Sequence, residues 1–329
     1  NFGYPISETQ RLGFELGYTY TTIEAGVGAV KEIKTSPRIL DAIDHYFVSR
    51  FDNATGRYTV AEVLEDLDNL PDSALTESSE PGFLDEYGDE FNNFTAGISW
   101  RQSTLNRGLL ATRGASQSVS LEAAIPGSDL EYFRLTYNGQ LYVPLTNSLT
   151  LRFRTEVGYG DGYGNIDKLP FFEHFYAGGF SSVRGYRSNT LGPRSTPADI
   201  YNISQAATAI DANGNATALS AQGAYVLNPA TGKLEVNTSS FDDESDPFGG
   251  NVLLEGSIEL LFPLPFVKDQ RSVRSGLFLD AGNVFSTSCS STQLNCSSPK
   301  LSELRYSAGF GVTWITGFGP LTFSLGRAL

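Results

Sequence analysis

The chain has 329 residues and a formal net charge of −14, a length that suits one large domain or two smaller ones. Charged residues are only 18% of the chain, which holds 34 Gly, 16 Tyr and 22 Phe; this blend indicates an all-β protein that faces something other than water. The acidic balance argues against nucleic acid as a partner, because a phosphate backbone is bound mainly by Lys and Arg.

The sequence predicts no transmembrane helix, because it holds no apolar run of about 18 residues. Membrane strands remain compatible with it, since a strand of a membrane barrel needs only about ten residues of alternating polarity. The sequence also shows no signal peptide and contains no Met. We therefore expect the chain to be a mature or excised part of a longer protein.

Apolar residues alternate with polar or glycine residues through most of the chain, which predicts strands with two different faces. Between Asn251 and Phe262, for example, Leu254 and Ile258 lie on one face, and Glu255 and Glu259 lie on the other. The pattern occurs in nine segments, with a short further fragment at 1–6: 12–20, 94–101, 118–125, 133–143, 151–159, 251–262, 273–282, 305–314 and 321–326.

Three features favour a transmembrane antiparallel β-barrel over a soluble β-sandwich, which also alternates. The polar face carries full charges, as a wet interior would, and Tyr and Trp cluster near strand ends as in an interfacial girdle. Short turns, such as those beginning at Ile125 and Pro144, alternate with long loops at about 24–90 and 160–250. Short periplasmic turns with long outer loops are typical of such barrels, so we predict one barrel domain over residues 1–329.

Two short helices are predicted in the first long loop. Ser36 and Pro37 resemble an N-cap and a first-turn proline ahead of apolar residues that extend to Phe47. Thr59 is a candidate cap for a second helix that reaches Leu67.

Cys289 and Cys296 are the only cysteines, and they lie in a polar stretch where free thiols would be open to oxidation. A short disulfide is favoured over a metal site, because no His and no further Cys lies nearby. It implies an oxidising compartment. The chain-entropy model gives so small a loop only about 2.5 kcal/mol, so this bond would hold a loop in place and contribute little to the fold.

Catalytic chemistry has little support in the sequence. The motifs GxSxG and HExxH and a phosphate-cradling glycine loop are missing, and the only histidines are His45 and His174. His174 follows Glu173 among aromatic residues, where a histidine is more often packed than catalytic. We expect no enzyme activity, no cofactor and no metal site.

The most informative motif is Val183-Arg184-Gly185-Tyr186, within the glycine-rich run FYAGGFSSVRGYRSNTLGPR. An arginine beside glycine can bring its guanidinium and its backbone close to another surface. In a barrel, the question is which acidic groups of the polar face Arg184 meets.

The run around this motif resembles the long sixth outer loop of the BamA family, the central subunits of the machine that assembles β-barrels in the outer membrane. The resemblance extends to four further stretches and covers nearly the whole chain outside the long loops. These stretches are IPGSDLEYFRLTYNGQLYVPL (125–145), RTEVGYGDGYG (154–164), SVRSGLFLDAGNVF (272–285) and FGPLTFSLGRA (318–328).

The resemblance implies a latch inside the barrel, made by Arg184 with Glu259 and Asp280. In the family, the arginine of this motif folds back into the lumen and pairs with acidic residues at the positions that these two carboxylates occupy here. Alternation places both on the polar face as well. One guanidinium offers five donors in a rigid fork and can satisfy two carboxylates. The alternative is that Glu259 and Asp280 are ordinary solvated charges of the lumen.

Compared with the family, the chain is shorter at both ends. By this comparison we expect the periplasmic domains, roughly the first five strands and the last strand to be absent, and with them both edges of the family's lateral seam. Unpaired strand edges would be unstable in lipid. The chain is therefore either part of a larger barrel or a smaller barrel closed on itself.

The resemblance implies a protein of the bacterial outer membrane that inserts and folds outer-membrane proteins by backbone pairing with a client strand, without bond chemistry. Its partners would be unfolded outer-membrane proteins, outer-membrane lipid and, mainly through the periplasmic domains, the accessory lipoproteins of the machine. The alternative function is a polypeptide-translocating pore of the related two-partner secretion type.

Overall fold

The computed structural model describes residues 2–24, 33, 46–52, 57–64, 82–195, 208–210, 216–218, 225–228, 233–236, 246–264, 272–289 and 296–329. Its elements in chain order are β1 (Phe2–Ser7), β2 (Gln10–Thr22), β3 (Tyr46–Asp52), β4 (Arg57–Leu64), α1 (Phe83–Tyr87), β5 (Glu90–Ser103), β6 (Gly114–Ala124), β7 (Tyr132–Pro144), β8 (Thr150–Gly162), β9 (Thr208–Ile210), β10 (Ala216–Ala218), β11 (Tyr225–Asn228), β12 (Lys233–Val236), β13 (Val252–Phe262), β14 (Val273–Phe285), β15 (Arg305–Thr316) and β16 (Gly319–Ala328). Short 3-10 turns occur at Phe171–Glu173 and Leu301–Glu303.

A ten-stranded sheet dominates the fold, in the order β1-β2-β5-β6-β7-β8-β13-β14-β15-β16. Every neighbouring pair in it is antiparallel. The prediction of an all-β antiparallel architecture is confirmed. The edge strands β1 and β16 are not paired with each other among the described residues, so the sheet does not close on itself as a smaller barrel.

The two faces of this sheet are inverted relative to a soluble protein. On β13, Ile258 is 46% exposed while its neighbour Glu259 is 7% exposed. On β14, Leu279 is 46% exposed while Asp280 is fully buried. The outer face is therefore apolar and open, and the inner face is polar and covered, which is the alternation of a barrel that meets lipid on the outside. The sequence pattern had placed these residues on the same faces.

The inner face is concave. One cavity is lined by residues of six consecutive strands, β7, β8, β13, β14, β15 and β16. Arg274 on β14 donates from Nη1 to the carbonyl of Ala111, which lies in the connection between β5 and β6, at 2.6 Å. Since β6 and β14 lie four strand spacings of about 4.8 Å apart in the sheet, the sheet must curl and the connection must reach across the enclosed space.

The connections divide between two ends of the sheet. The long connections 23–89 and 163–251 lie at one end, called here the loop end, and the connections 104–113 and 145–149 lie at the other, the turn end. The expectation that both short turns share the side opposite the long loops was wrong. The turn that begins at Ile125 follows β6 and lies at the loop end, because strand direction in an antiparallel sheet, rather than turn length, decides the side.

The first long loop contains strand where a helix was predicted. The segment after Thr59 forms β4, which pairs with β3 in an antiparallel hairpin, and β3 pairs in parallel with β9 of the second long loop. Pairing with the neighbouring strand β3 thus overrides the local capping signal at Thr59. Most of the helix predicted after Ser36 and Pro37 lies outside the described residues. None of the described helices is long and apolar enough to cross a membrane.

An apolar cluster closes the loop end of the sheet. Its buried members come from β5, the end of β6, the connection that follows it, the start of β7 and the start of the second long loop: Phe91, Ala124, Leu130, Tyr132, Ile166 and Leu169. Phe83 of α1 packs edge to face on Phe91, with ring centroids 5.8 Å apart, and on Phe171, with centroids 5.5 Å apart. The cluster therefore ties both long loops to the strands below them.

Because the outer face meets lipid, a charged side chain placed on it should lower the free energy of unfolding, most strongly near the middle of the membrane. Replacing Leu279, at the middle of β14, by Arg should destabilise the lipid-embedded protein by about 2–4 kcal/mol, measured by reversible urea titration in lipid vesicles. Asn138→Arg is the control, because Asn138 lies on the inner face opposite Glu156 of β8. Equal costs for the two substitutions would contradict the assignment of the faces.

Candidate functional site on the inner face of the sheet

The second long loop folds down onto the inner face over β13 and β14. Backbone bridges join Phe175 to Gly250 and Ala177 to Leu191, which shapes the loop into a compact finger. The finger is seated by an apolar cluster that includes two inward-facing strand residues: Phe175, Ala177, Val183, Leu191, Leu253 and Val284. Val183 of the motif is thus an anchor, 1% exposed, that brings the next residue, Arg184, to the polar part of the face.

Arg184 makes a dense set of charge-assisted hydrogen bonds. Its Nε and Nη2 donate to the two carboxylate oxygens of Asp280, at 2.7 and 2.8 Å, and its Nη1 donates to Glu259 at 2.8 Å. Its backbone N–H also donates to Asp280, at 3.1 Å. Ser257 lies on β13 directly opposite Asp280, accepts from Nη2 at 3.1 Å and donates to Asp280 at 2.6 Å. A planar fork suits two carboxylates at once, whereas a point charge does not.

The ring of Phe278 lies beneath the Arg184 guanidinium. The guanidinium carbon is 3.5 Å from the ring centroid, a cation–π contact that strengthens when water is excluded. Phe278 faces inward on β14 two residues before Asp280 and is buried. The arginine is therefore held by carboxylates along its edge and by an aromatic ring on its face.

Gly185 and Gly326 let the finger approach β16 closely. Gly185 has a φ of 93°, and a Cβ there would lie 3.1 Å from backbone atoms of Arg327. A Cβ on Gly326 would lie 3.0 Å from the amide nitrogen of Gly185. Next along the motif, Tyr186 donates its hydroxyl to the carbonyl of Tyr306 on β15, at 3.1 Å. The finger therefore spans β13 to β16, and each residue of the motif has a distinct contact.

A second set of contacts, which sequence reasoning missed, holds the tip of the finger. Arg154 on β8 donates to the carbonyl of Ser182 at 2.8 Å and to that of Ser181. The Ser182 hydroxyl in turn donates to Glu255 on β13. Arg154 and Glu255 had been placed on the inner face by alternation, but nothing in the sequence indicates that a loop backbone reaches them.

The two cysteines lie apart from this site. Cys289 and Cys296 form a disulfide with their Cα atoms 5.8 Å apart, in the loop-end connection between β14 and β15. The bond ties residues seven positions apart and makes no contact with Arg184, Glu259 or Asp280.

The two carboxylates of the site are held in ion pairs. Both carboxylates are engaged by the guanidinium of Arg184, so neither is free to act as a general base or to take a cation. No group of three or more His, Cys, Asp or Glu side chains in the described parts of the chain could hold a metal ion.

His174 is packed inside the finger. Its Nδ1 lies 3.0 Å from the carbonyl of Phe248, and its ring meets the Phe248 ring edge to face. Burial lowers the pKa of His174 from its ordinary value, and hydrogen bonds to the carbonyls of Phe248 and Leu169 only partly oppose this. The side chain is thus neutral at pH 7 and joins the start of the finger to its end.

An antiparallel sheet with an apolar outer face, a polar inner face and a loop held inside it has the architecture of the wall of an outer-membrane β-barrel. The chain belongs to the Omp85 superfamily, whose domain matches residues 1–329.

Individual relatives agree with this assignment. The outer membrane protein assembly factor BamA of Neisseria meningitidis serogroup B is 35% identical over 243 residues, which are 69% of this chain and 25% of that protein. A SAM50-like protein of Schizosaccharomyces pombe is 23% identical over 247 residues, 74% of this chain and 41% of that protein. The chain therefore spans less than half the length of these curated relatives.

A solved structure has the same fold. The crystal structure of BamA from Haemophilus ducreyi lacking POTRA domains 1–3 superimposes with a TM-score of 0.60 at 20% identity, over 99% of this chain and 49% of that one.

We expect Arg184→Ala to release the finger. The substitution leaves Asp280 buried without a cation and leaves Glu259 with Arg152 alone, which costs roughly 3–5 kcal/mol, so backbone amides of residues 177–191 should exchange hydrogen faster. Arg187→Ala is the matched control, since Arg187 is an exposed arginine of the same loop. Adding Asp280→Asn to Arg184→Ala should restore part of the protection, because it removes one stranded charge. Unchanged exchange in Arg184→Ala would contradict the latch.

Acid should loosen the same finger through His174. The pKa of His174 is lowered in the folded state, whereas in the unfolded chain it is about 6.5. As the pH falls, the unfolded chain therefore takes up the proton first. The stability that neutral His174 contributes above about pH 6.5 is lost below it. Exchange of the Phe175 and Gly250 amides, corrected for intrinsic rates, should rise between about pH 7.5 and pH 5.5. His174→Phe should remove this dependence; an identical pH response in that variant would assign it elsewhere.

Proposed function

We propose that this protein inserts and folds β-barrel proteins in the bacterial outer membrane. The observation that carries the proposal is the Arg184 latch, which holds a long loop inside a barrel-type sheet. It occurs in a chain that shares 35% identity over 243 residues with a bacterial outer-membrane assembly factor.

The faces of the sheet support action within a membrane. Large apolar side chains stand exposed along the outer face of most strands, for example Leu16, Leu277 and Phe323. Such a surface is stable only against lipid, because exposing it to water is costly. The protein thus works from within the membrane that receives its clients.

The engaged carboxylates support a mechanism without bond chemistry. Since Glu259 and Asp280 accept hydrogen bonds from Arg184, the site stabilises an arrangement of strands and does not transfer protons. A client strand would then be guided by backbone pairing, and the free energy would come from the client's own folding. In this mechanism the latch keeps β13 to β16 in one arrangement while other strands move.

The partners follow from the same proposal. They are unfolded outer-membrane proteins as clients, outer-membrane lipid around the sheet, and the accessory lipoproteins of the assembly machine.

A reconstituted folding assay tests the function. The protein in lipid vesicles should accelerate the folding of a urea-denatured client barrel, followed as the heat-resistant band on gels. Arg184→Ala should slow this by about tenfold or more, equivalent to about 1.4 kcal/mol in the barrier, whereas Arg187→Ala should not. No acceleration by the unaltered protein would overturn the proposal, and steady single-channel conductance with export of one partner polypeptide would favour the secretion pore.

A further inference from the structure

We propose that a cavity at the turn end of the inner face binds a carboxylate-bearing, partly apolar polypeptide segment. The cavity has a volume of about 380 Å³. It lies between the tip of the finger, at Phe180 and Ser181, and the connection 104–113, which reaches across from the opposite part of the sheet.

Positive charge dominates the lining of this cavity. Four arginines contribute to it, Arg152, Arg154, Arg184 and Arg274, against the single carboxylate of Glu259. The chain as a whole carries a net charge of −14, so this excess of positive charge is a local feature of the cavity.

Two of these arginines have only neutral hydrogen-bond partners among the described residues. Arg154 donates to the carbonyls of Ser181 and Ser182, and Arg274 donates to the carbonyl of Ala111. The ion pairs of the described residues include neither guanidinium. A charge held by carbonyls in a covered site favours an anionic ligand, because a carboxylate makes the stronger charge-assisted bonds.

Arg152 has an unsatisfied hydrogen-bond donor among the described residues. Its Nη1 pairs with Glu259 at 3.1 Å, but its Nε is buried without a hydrogen-bond partner among the described residues. Buried donors in folded proteins are nearly always satisfied. An acceptor supplied by a ligand would complete this side chain.

Apolar side chains stand beside the charges. Leu109 and Phe180 line the cavity and are 55% and 57% exposed. Leu110, which also lines it, has a φ of 49°, a left-handed conformation that is rare for a leucine and is characteristic of functional segments. The cavity thus offers guanidinium groups and exposed apolar surface together, which matches a carboxylate flanked by apolar side chains.

This inference rests on the proposed function, because a protein that handles unfolded polypeptides meets such segments. A binding experiment without any folding client tests it separately. The probe is a fluorescent hexapeptide with one central Glu between Leu and Phe residues, titrated against the protein in detergent micelles. The matched peptide has Gln in place of Glu, and inorganic phosphate serves as a competitor.

We expect the Glu peptide to bind at least about tenfold more tightly than the Gln peptide, as loss of a charge-assisted hydrogen bond implies. Arg274→Gln should weaken the Glu peptide by a similar factor and leave the Gln peptide unchanged. Arg101→Gln is the control, since Arg101 is an arginine that lines a separate cavity formed by β1, β2, β5, β6 and β7. Heat-modifiable migration on gels checks that each variant is folded; if Arg274→Gln fails this check, Leu109→Ser carries the test, with both peptides weakened.

Equal affinity for the Glu and Gln peptides, or full displacement by phosphate at the peptide's own concentration, would overturn the inference. Normal peptide binding in a protein that fails to accelerate client folding would count against the proposed function alone. Lost peptide selectivity with normal client folding would count against the cavity alone.

Discussion

A single guanidinium placed between two buried carboxylates organises the inner face of this protein. Burying three charges costs several kcal/mol for each ion unless all their hydrogen-bonding capacity is met. Arg184 meets it with both edges of its fork on Asp280 and Glu259 and with its face on Phe278. This interaction fixes the position of the loop. It requires polar residues on the inner face of β13 and a glycine, Gly326, on β16 where the finger approaches closely.

The inverted polarity of the sheet is the second constraint, and it explains why the site lies where it does. Because most apolar side chains of the strands point outward, they cannot form a buried core between them. The buried apolar clusters are therefore formed at the loop end and by the finger. Leu253 and Val284 show this, since they are apolar residues on the mostly polar inner face and are buried under the finger. The finger thus replaces the packed core that an ordinary β domain would have.

The strands and their faces could be predicted from the sequence, because period two is a local property that every strand displays. Local patterns also placed Glu259 and Asp280 on the face that Arg184 contacts. Thr59, however, was read as a helix cap and lies in a strand, since pairing with Arg50 of the neighbouring strand, which the capping signal does not register, decides its conformation. The turn at Ile125 was assigned to the wrong end because its length says nothing about strand direction.

Contacts made by the loop backbone could not be predicted at all. Arg154 binds two carbonyls of the finger, and carbonyls carry no sequence signature. Phe278 alternates onto the same face as Asp280, and its role becomes visible only when the guanidinium lies over it. In each case the missing information is the path of a long loop, which depends on the whole assembled face.

The separation of the latch partners along the chain has a consequence for the order of folding. Arg184 and Asp280 are 96 residues apart, and Asp280 takes its position only when β13 and β14 are in register. Closing so long a loop is slow and entropically costly, so the finger docks late, after the strands that receive it. If β14 were out of register, Asp280 would not lie where Arg184 can donate to it. The docked finger therefore indicates that the sheet has formed in the correct register.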